Sequence, residues 1–314
     1  GDAASCWCTA GACLLKQGLL QASCECAKSA LQQYPDDLGA LLLSISCTAD
    51  AGQAGDDEKT LILQEARASV GVLRKHRDLQ PWQAAKVAIL LQPHEDLAML
   101  GLETLATCLA KPPLSEVAAT DSVASAANGI AVIRDLVQRR LAKMEPEADV
   151  LRYLAIAVEL VAARKLEILG KASSLEEIRR LLQTSWDFGQ DLGRRSAWAS
   201  CAAVFEATQR ILEPLDPAED AFASAGFVDG RAWCFILSAS ARVHQAREDG
   251  ELLEKALACL DGAHKLCEHI NRAAAGADRL LAAGRSKLFL VLVLLEFEVR
   301  CLSGDSEQHL RSFV

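Results

Sequence analysis

The sequence has little of what marks strand-rich proteins. Only 5% of its 314 residues are aromatic, and it has 19 glycines and 8 prolines. Alternating runs of Val, Ile and Thr, which indicate half-buried strands, are nearly absent. The apolar half of the chain (51%) consists mainly of Ala and Leu, which favour helix. The composition therefore predicts an all-α fold.

Long hydrophobic runs and an excess of basic residues are also missing. The longest apolar run, residues 288–295, is far shorter than the about 20 residues that a membrane span needs. The formal net charge is −9, whereas nucleic-acid binders concentrate Lys and Arg for phosphate contacts. We therefore expect neither a membrane nor a direct nucleic-acid partner.

The 12 cysteines lack the spacing of a zinc site or a disulfide framework. Cys6 and Cys8 lie on one predicted helix, and Cys24 and Cys26 lie on the next. Residues two apart on a helix point about 200° away from each other, so such a pair does not chelate one ion. The cysteines are predicted to be free thiols, most of them packed as small hydrophobes, in a reduced intracellular protein.

No phosphate-binding loop, nucleophile elbow or zinc-protease motif occurs. His264, Cys267 and Glu268 share one face of a predicted helix and could hold a metal. The alternative, which we favour, places His264 and Cys267 in a packed apolar stripe. The sequence therefore predicts no enzyme, no cofactor and no metal, with a helical metalloprotein or enzyme as a remote alternative.

A repeat frame occupies residues 4–37. Its residues follow the spacing of a tetratricopeptide repeat, which is 34 residues long and forms two antiparallel helices: Trp7, Gly11, Gly18, Ala30 and Pro35. Gly11 is predicted to let the two helices approach closely, while Trp7 covers small residues of the facing helix. Gly18 is predicted to allow the turn between the helices, and Pro35 to end the second one.

A degenerate copy of this frame is predicted at residues 183–216. Trp186, Ala202 and Pro214 fall at the same repeat positions, and Gly189 comes one residue early. One repeat cannot bury its own apolar face, so neighbouring repeats must stack on it. We therefore predict one continuous tetratricopeptide-like α-solenoid of stacked antiparallel helix pairs over residues 1–314. Because no Met opens the chain, we expect it to be a fragment of a longer protein.

Local signals predict several boundaries. Ser174 and Glu177 have capping-box spacing and predict a helix start, and Gly193 predicts the end of that helix. Residues 53–59, rich in Gly and Asp, are predicted to form a loop. Residues 111–129 are predicted to form a less regular helix pair.

The first repeat also offers a possible partner groove on its first helix, at Cys8, Ala12 and Lys16. Tetratricopeptide domains that clamp the C-terminal carboxylate of heat-shock chaperones need Lys and Asn one turn apart, because a carboxylate requires strong donors. The corresponding residues here are Cys8 and Ala12. The groove is therefore predicted to be apolar and unable to clamp that carboxylate.

Two short motifs point to one family. They are Leu-Leu-Gln-Thr-Ser-Trp-Asp-Phe-Gly at residues 181–189 and Leu-Leu-Glu-Phe-Glu-Val-Arg at residues 294–300. The chain resembles the meiotic tetratricopeptide family known as Zip-four or sporulation-protein-twenty-two, which includes the testis-expressed X-linked meiotic protein of mammals. The motif positions that carry the resemblance are Trp186, Asp187 (where the family usually has Asn), Gly189, Leu295, Phe297 and Glu298.

The resemblance implies a non-enzymatic scaffold of the nucleus and chromosome that promotes meiotic crossover formation and synapsis. It also implies two classes of partner, which are XPF-like junction-binding proteins and proteins of the chromosome axis or synaptonemal complex. The alternative is a generic intracellular tetratricopeptide adaptor, located in the cytoplasm and unrelated to meiosis.

Overall fold

The computed structural model describes residues 2–110, 116–143, 147–163, 172–214, 227–246, 250–273 and 279–303. These residues form thirteen α-helices, one 3₁₀ helix and no strand, so the predicted all-α class is confirmed. The helices are α1 (Asp2–Lys16), α2 (Leu20–Gln33), α3 (Leu38–Ser46), α4 (Asp56–Leu73), α5 (Pro81–Leu91), α6 (Glu95–Leu109), α7 (Glu116–Lys143), α8 (Glu147–Ala163), α9 (Ala172–Arg194), α10 (Trp198–Leu212), α11 (Phe227–Gln245), α12 (Gly250–Ala273) and α13 (Arg279–Leu302). The 3₁₀ helix, Cys47–Gln53, follows α3 directly.

The chain divides into two compact units. Unit 1 comprises Gly1–Leu136 and Glu159–Gly170, and unit 2 comprises Val137–Val158 and Lys171–Val314. In unit 1, α2 packs on α1, α3 on α2 and α4 on α3, and α6 packs on α5. In unit 2, α9 to α13 pack on one another in chain order. This in-order packing of neighbouring helices is the arrangement of an α-solenoid. That one solenoid runs continuously through residues 1–314 stays a prediction.

The turn between α1 and α2 depends on a left-handed residue. Gly18 has a φ of +76°, a conformation that glycine adopts without a steric penalty. The amide of Leu19 donates to the carbonyl of Leu14, and the amide of Gly18 donates to that of Leu15, both at 3.0 Å. These two bonds form a Schellman motif, which satisfies carbonyls at the end of α1. Pro35 lies in the turn that follows α2.

Gly11 is where three helices approach most closely in the first repeat. A Cβ at Gly11 would overlap Leu43 Cδ2 of α3 and would lie 3.1 Å from Cys26 Cβ of α2. The Ser23 hydroxyl donates to the Gly11 carbonyl at 2.9 Å in a buried environment. Ala30 is completely buried further along α2. A backbone without a side chain at this position therefore sets the spacing of α1, α2 and α3.

Trp7 does not have the buried position that the repeat frame predicts for it. It retains 39% of its accessible surface. The small buried side chains of α2, such as Cys26 and Ala27, pack instead against Leu43 of α3, with Leu14 of α1 beside them. The prediction that Trp7 covers these small residues is therefore wrong. Leu43 and Leu14 cover them instead.

The pair α9 and α10 repeats the close approach with different side chains. A Cβ at Gly189 would lie 2.7 Å from Phe205 Cζ. The Trp186 ring meets the Phe205 ring edge-on, with centroids 5.6 Å apart and planes at 77°. Ala202 of α10 is buried, and Pro214 follows the end of that helix.

The end of α9 is formed by a residue that the sequence pattern does not mark. Gly193 lies inside the helix, and Ser196 takes the left-handed conformation with a φ of 60°. The amides of Ala197 and Ser196 donate to the carbonyls of Leu192 and Gly193, both at 3.0 Å, which is again a Schellman motif. The helix therefore ends one residue beyond the predicted Gly193, and the left-handed residue after it is Ser196 and not a glycine.

These geometric markers correct the alignment of the two repeats by one residue. The left-handed residue follows the close-approach glycine by seven positions in each repeat, since Gly18 follows Gly11 and Ser196 follows Gly189. Gly189 therefore corresponds to Gly11, and it is not displaced. In this register Trp186 does not occupy the Trp7 position, as the sequence frame proposed, but falls one residue beyond it.

Three other predicted boundaries also differ. Ser174, expected to cap a helix, lies within α9 and is buried, while Glu177 pairs with Arg180 on the helix surface. Residues 56–59, expected in a loop, form the first turn of α4. The described part of the expected helix pair at 111–129 belongs to the single 28-residue helix α7, and residues 111–115 lie outside the described residues.

The close approach at Gly189 can be tested with a matched pair of glycine substitutions. Gly189→Ala places a methyl group against the rigid, fully buried Phe205 ring, so we expect a net loss of about 1–2 kcal/mol despite the better helix propensity of Ala. Gly71→Ala in α4 meets no atom within 4 Å and should be neutral or stabilising. Urea denaturation followed by circular dichroism measures both, and equal effects would contradict the proposed packing.

Candidate functional site

A groove of about 770 Å³ opens on one side of unit 1, where α1, α3 and α5 lie next to one another. The packing of α3 against both α1 and α5 brings these alternate helices together. All three residues that the sequence proposed as a partner groove, Cys8, Ala12 and Lys16, line it. They recur at every fourth position and therefore share one face of α1.

The floor of the groove is apolar, and one of its leucines is packed into the core. Its largest apolar side chains are four leucines, which are Leu15 of α1, Leu42 and Leu43 of α3, and Leu90 of α5. Leu43 is 6% exposed and packs against Cys26 and Ala27 of α2, so the repeat core fixes its position. The floor therefore belongs to the packed structure and does not need to form when a ligand binds.

Cys8 and Asp37 form a polar contact at the wall of the groove. The Cys8 thiol donates to Asp37 Oδ1 over 3.6 Å, and the same oxygen accepts from the Ala40 amide at 2.9 Å, which caps α3. Gly39 leaves room for this contact, since a Cβ there would lie 3.3 Å from both Cys8 Sγ and Asp37 Oδ1. Burial, the Asp37 charge and this hydrogen bond together raise the pKa of Cys8 to about 11. The thiol is therefore protonated at neutral pH.

Two lysines add positive charge to the groove. Lys16 of α1 and Lys86 of α5 both line it and are both exposed. Neither ammonium group has an ion-pair or hydrogen-bond partner among the described residues. Asp37 is the only carboxylate among the described residues that line the groove. The expectation of an apolar groove is therefore correct for its floor but not for its rim.

Lys86 is a groove residue that the sequence analysis missed. It is the one charged residue of α5, whose neighbouring positions are alanines and valine. An isolated lysine on an otherwise apolar helix is a usable signal, but it does not say which other helix it faces. Only the packing of α3 against α5 places it in the same groove as the α1 residues.

The family-motif residues lie in unit 2 and have packing roles or face solvent. Trp186 and Gly189 contact Phe205, as described above, while Asp187 is exposed and accepts a 2.9 Å hydrogen bond from Gln183. In α13, Leu295 is buried, whereas Phe297 (41% exposed) and Glu298 face solvent.

Glu296, inside the second motif, makes the most specific polar contacts of α13. It is 7% exposed, and its Oε2 lies 2.7 Å from His264 Nε2 of α12. Its Oε1 accepts from the Arg300 guanidinium at 2.9 Å and 3.1 Å. Glu296 lies within the second motif, but the motif does not predict its partners. The structure shows that it joins two helices.

The proposed metal-binding face is not assembled in the described residues. His264 faces Glu296, Cys267 is buried and Glu268 is exposed. No group of three or more His, Cys, Asp or Glu side chains in the described part of the chain could hold a metal ion.

The cysteines form no disulfide in the described residues. All twelve cysteines lie in the described residues and all are free. Cys201, Cys234 and Cys267 are buried, as expected of cysteines packed as small hydrophobes, whereas Cys301 is exposed. Of the helices that the described residues form, none combines the length and apolarity needed to cross a bilayer.

Comparisons of the chain with protein-family models, with curated proteins and with solved structures found no match. The resemblance to the meiotic family therefore stays a prediction that rests on the two motifs. A function has to be inferred from the groove and its lining side chains.

The thiol–carboxylate contact predicts an unreactive Cys8. With a pKa of about 11, about one thousandth of Cys8 is thiolate at pH 8, so iodoacetamide should modify it far more slowly than the exposed Cys6 and Cys13 of the same helix. The rate should rise as the pH approaches 11. Asp37→Asn keeps a capping side chain but removes the charge, and should speed the reaction. Peptide mapping by mass spectrometry measures each site, and a Cys8 as reactive as Cys6 would contradict the assignment.

Proposed function

We propose that this chain is a non-catalytic protein-interaction scaffold whose groove on α1, α3 and α5 binds a segment of a partner protein. The observation that carries the proposal is the groove itself, which is open, about 770 Å³ in volume and floored by leucines. Ligand sites are usually concave, largely apolar and formed in advance, with a few polar groups that set the orientation. Helical repeat proteins present such concave surfaces to their partners.

The polar groups of the groove favour binding over catalysis. Cys8 carries its proton, which it shares with Asp37, so it is not poised as a nucleophile. Asp37 also caps α3, so a role as a general base would disturb the start of that helix. The remaining ionic groups, Lys16 and Lys86, come from two different helices and suit the recognition of a ligand's charge.

The rigid floor supports the same proposal. Leu43 is buried in the repeat core and also lines the groove, so a bound segment meets a surface that is already ordered. Binding to an ordered surface avoids the entropic cost of arranging it. A short segment of a partner can therefore gain affinity from a groove of this modest size.

The meiotic role is the narrower part of the proposal. It is supported by the resemblance of the motifs around Trp186 and Phe297, and the partners it suggests are XPF-like junction-binding proteins and proteins of the chromosome axis or synaptonemal complex. A generic intracellular adaptor is the competing proposal. Immunoprecipitation from meiotic and from mitotic cells separates the two, since only a meiotic scaffold should recover these named partners. Their absence from the meiotic sample would favour the adaptor.

Filling the groove tests the interaction role directly. Ala12→Trp places a large side chain on the groove face of α1, whereas Ala10→Trp places the same side chain at an exposed position of the same helix that does not line the groove. Twelve-residue peptides selected on the wild-type chain from a displayed random library should lose binding to Ala12→Trp. The same peptides should bind Ala10→Trp as tightly as wild type, with affinities measured by fluorescence anisotropy.

Two outcomes would contradict the interaction role. One is a selection that enriches no peptide. The other is a set of peptides that bind both tryptophan variants equally, because their site would then lie outside the groove. Circular dichroism of both variants controls for loss of helix.

A further inference from the structure

The charges at the rim of the groove specify the chemistry of its ligand. Lys16 on α1 and Lys86 on α5 lie on the two helices that flank α3, and both ammonium groups are exposed and without a partner among the described residues. We infer that the groove recognises an acidic partner segment, in which Asp or Glu side chains pair with these two lysines. This inference rests on the interaction role proposed above and specifies the partner for that same groove.

Charge complementarity favours such a ligand. The whole chain has a formal net charge of −9, so an acidic segment would be repelled by most of its surface. In the groove, the single carboxylate of the described lining, Asp37, already accepts from the Cys8 thiol and from the Ala40 amide. Asp37 keeps its negative charge, so the two lysines leave the described lining with one net positive charge, and their ammonium groups are available to pair with a ligand. A local positive site on an acidic protein selects strongly for acidic partners.

The groove surface beside the two lysines is apolar, so the partner segment should carry apolar residues next to its acidic ones. Ala12 and Leu42 line the groove together with Leu90, which lies one turn beyond Lys86 on α5. One turn before Lys86 on the same helix, Trp82 exposes 51% of its surface. Trp82 is not itself a lining residue, but exposed aromatic side chains are enriched at protein interfaces. The expected ligand therefore alternates acidic side chains with small or aliphatic ones.

A nucleic acid fits these observations less well. Nucleic-acid sites depend on many phosphate contacts from clustered Lys and Arg, and this groove has two lysines over a floor of leucines. A phosphate backbone would leave that floor uncovered. A single-stranded oligonucleotide is therefore included in the test as a competitor.

The first measurement compares acidic and neutral forms of the same ligand. The peptides selected on the wild-type chain and lost on Ala12→Trp should be rich in Asp and Glu. Each is synthesised with blocked ends, once as selected and once with every Asp and Glu replaced by Asn and Gln. We expect the neutral form to bind at least about five-fold more weakly, and the difference to shrink as salt is raised.

The second measurement assigns the effect to the two lysines. Lys16→Gln and Lys86→Gln should each lower the affinity for the acidic peptide by about two- to five-fold, which is the range of an exposed ion pair. Lys75→Gln makes the same change of net charge in the turn after α4, away from the groove lining, and should leave the affinity unchanged. Lys86→Glu should lower the affinity for the acidic peptide further. It should raise the affinity for a peptide whose acidic residues are replaced by Lys.

The outcomes separate this inference from the interaction role on which it rests. The inference of an acidic ligand is wrong if groove-dependent peptides bind equally in acidic and neutral forms, or if Lys75→Gln lowers the affinity as much as Lys86→Gln does. The interaction role would still stand. If a twelve-nucleotide single-stranded DNA displaces the peptide with similar affinity, the ligand class is wrong. If no selected peptide loses binding to Ala12→Trp, both proposals fail.

Discussion

The missing side chain at Gly11 is the constraint on which unit 1 depends. It lets α1 approach both Cys26 of α2 and Leu43 of α3, and a methyl group there would overlap Leu43. Because Leu43 also forms part of the groove floor, this one close approach sets both the packing of the repeat and the shape of the candidate site. The Ser23 hydroxyl, which bonds to the Gly11 carbonyl, holds the same contact from the side of α2. Fold and site therefore share a single structural origin.

Unit 2 fills the space beside its close-approach glycine with a different side chain from a different helix. With Gly189 aligned to Gly11, the Trp7 position is taken by the buried Ser185, and the Ala27 position is taken by Phe205. In unit 1 the side chain that fills the space beside the close-approach glycine is Leu43 of α3, whereas in unit 2 it is Phe205 of the paired helix. Cores tolerate such exchanges where the total volume is preserved. Aromatic residues are therefore poor markers of repeat register, whereas a close-approach glycine and a left-handed turn residue are reliable ones.

The sequence predicts the features that depend on local residue type, but not those that depend on tertiary packing. The helical class follows from local propensity, and the α1–α2 turn follows from Gly18, because only that residue type adopts its backbone freely. The end of α9 does not follow, since Ser196 takes a left-handed conformation that serine rarely adopts while Gly193 lies nearby as a false signal. The groove is predictable to the extent that Cys8, Ala12 and Lys16 share one helix face. Lys86 and the Glu296–His264 contact are created by tertiary packing, which periodicity does not encode.

Asp37 connects the start of a helix to the electrostatics of the groove. Its carboxylate accepts from the Ala40 amide to begin α3 and from the Cys8 thiol across the groove wall. Both donors bond to Oδ1 and stabilise the negative charge in place. Asp37 keeps its charge in these bonds and offsets one of the two lysines, so the described lining carries one net positive charge. The positive character of the groove therefore depends on both Lys16 and Lys86, since the loss of either would leave the described lining neutral.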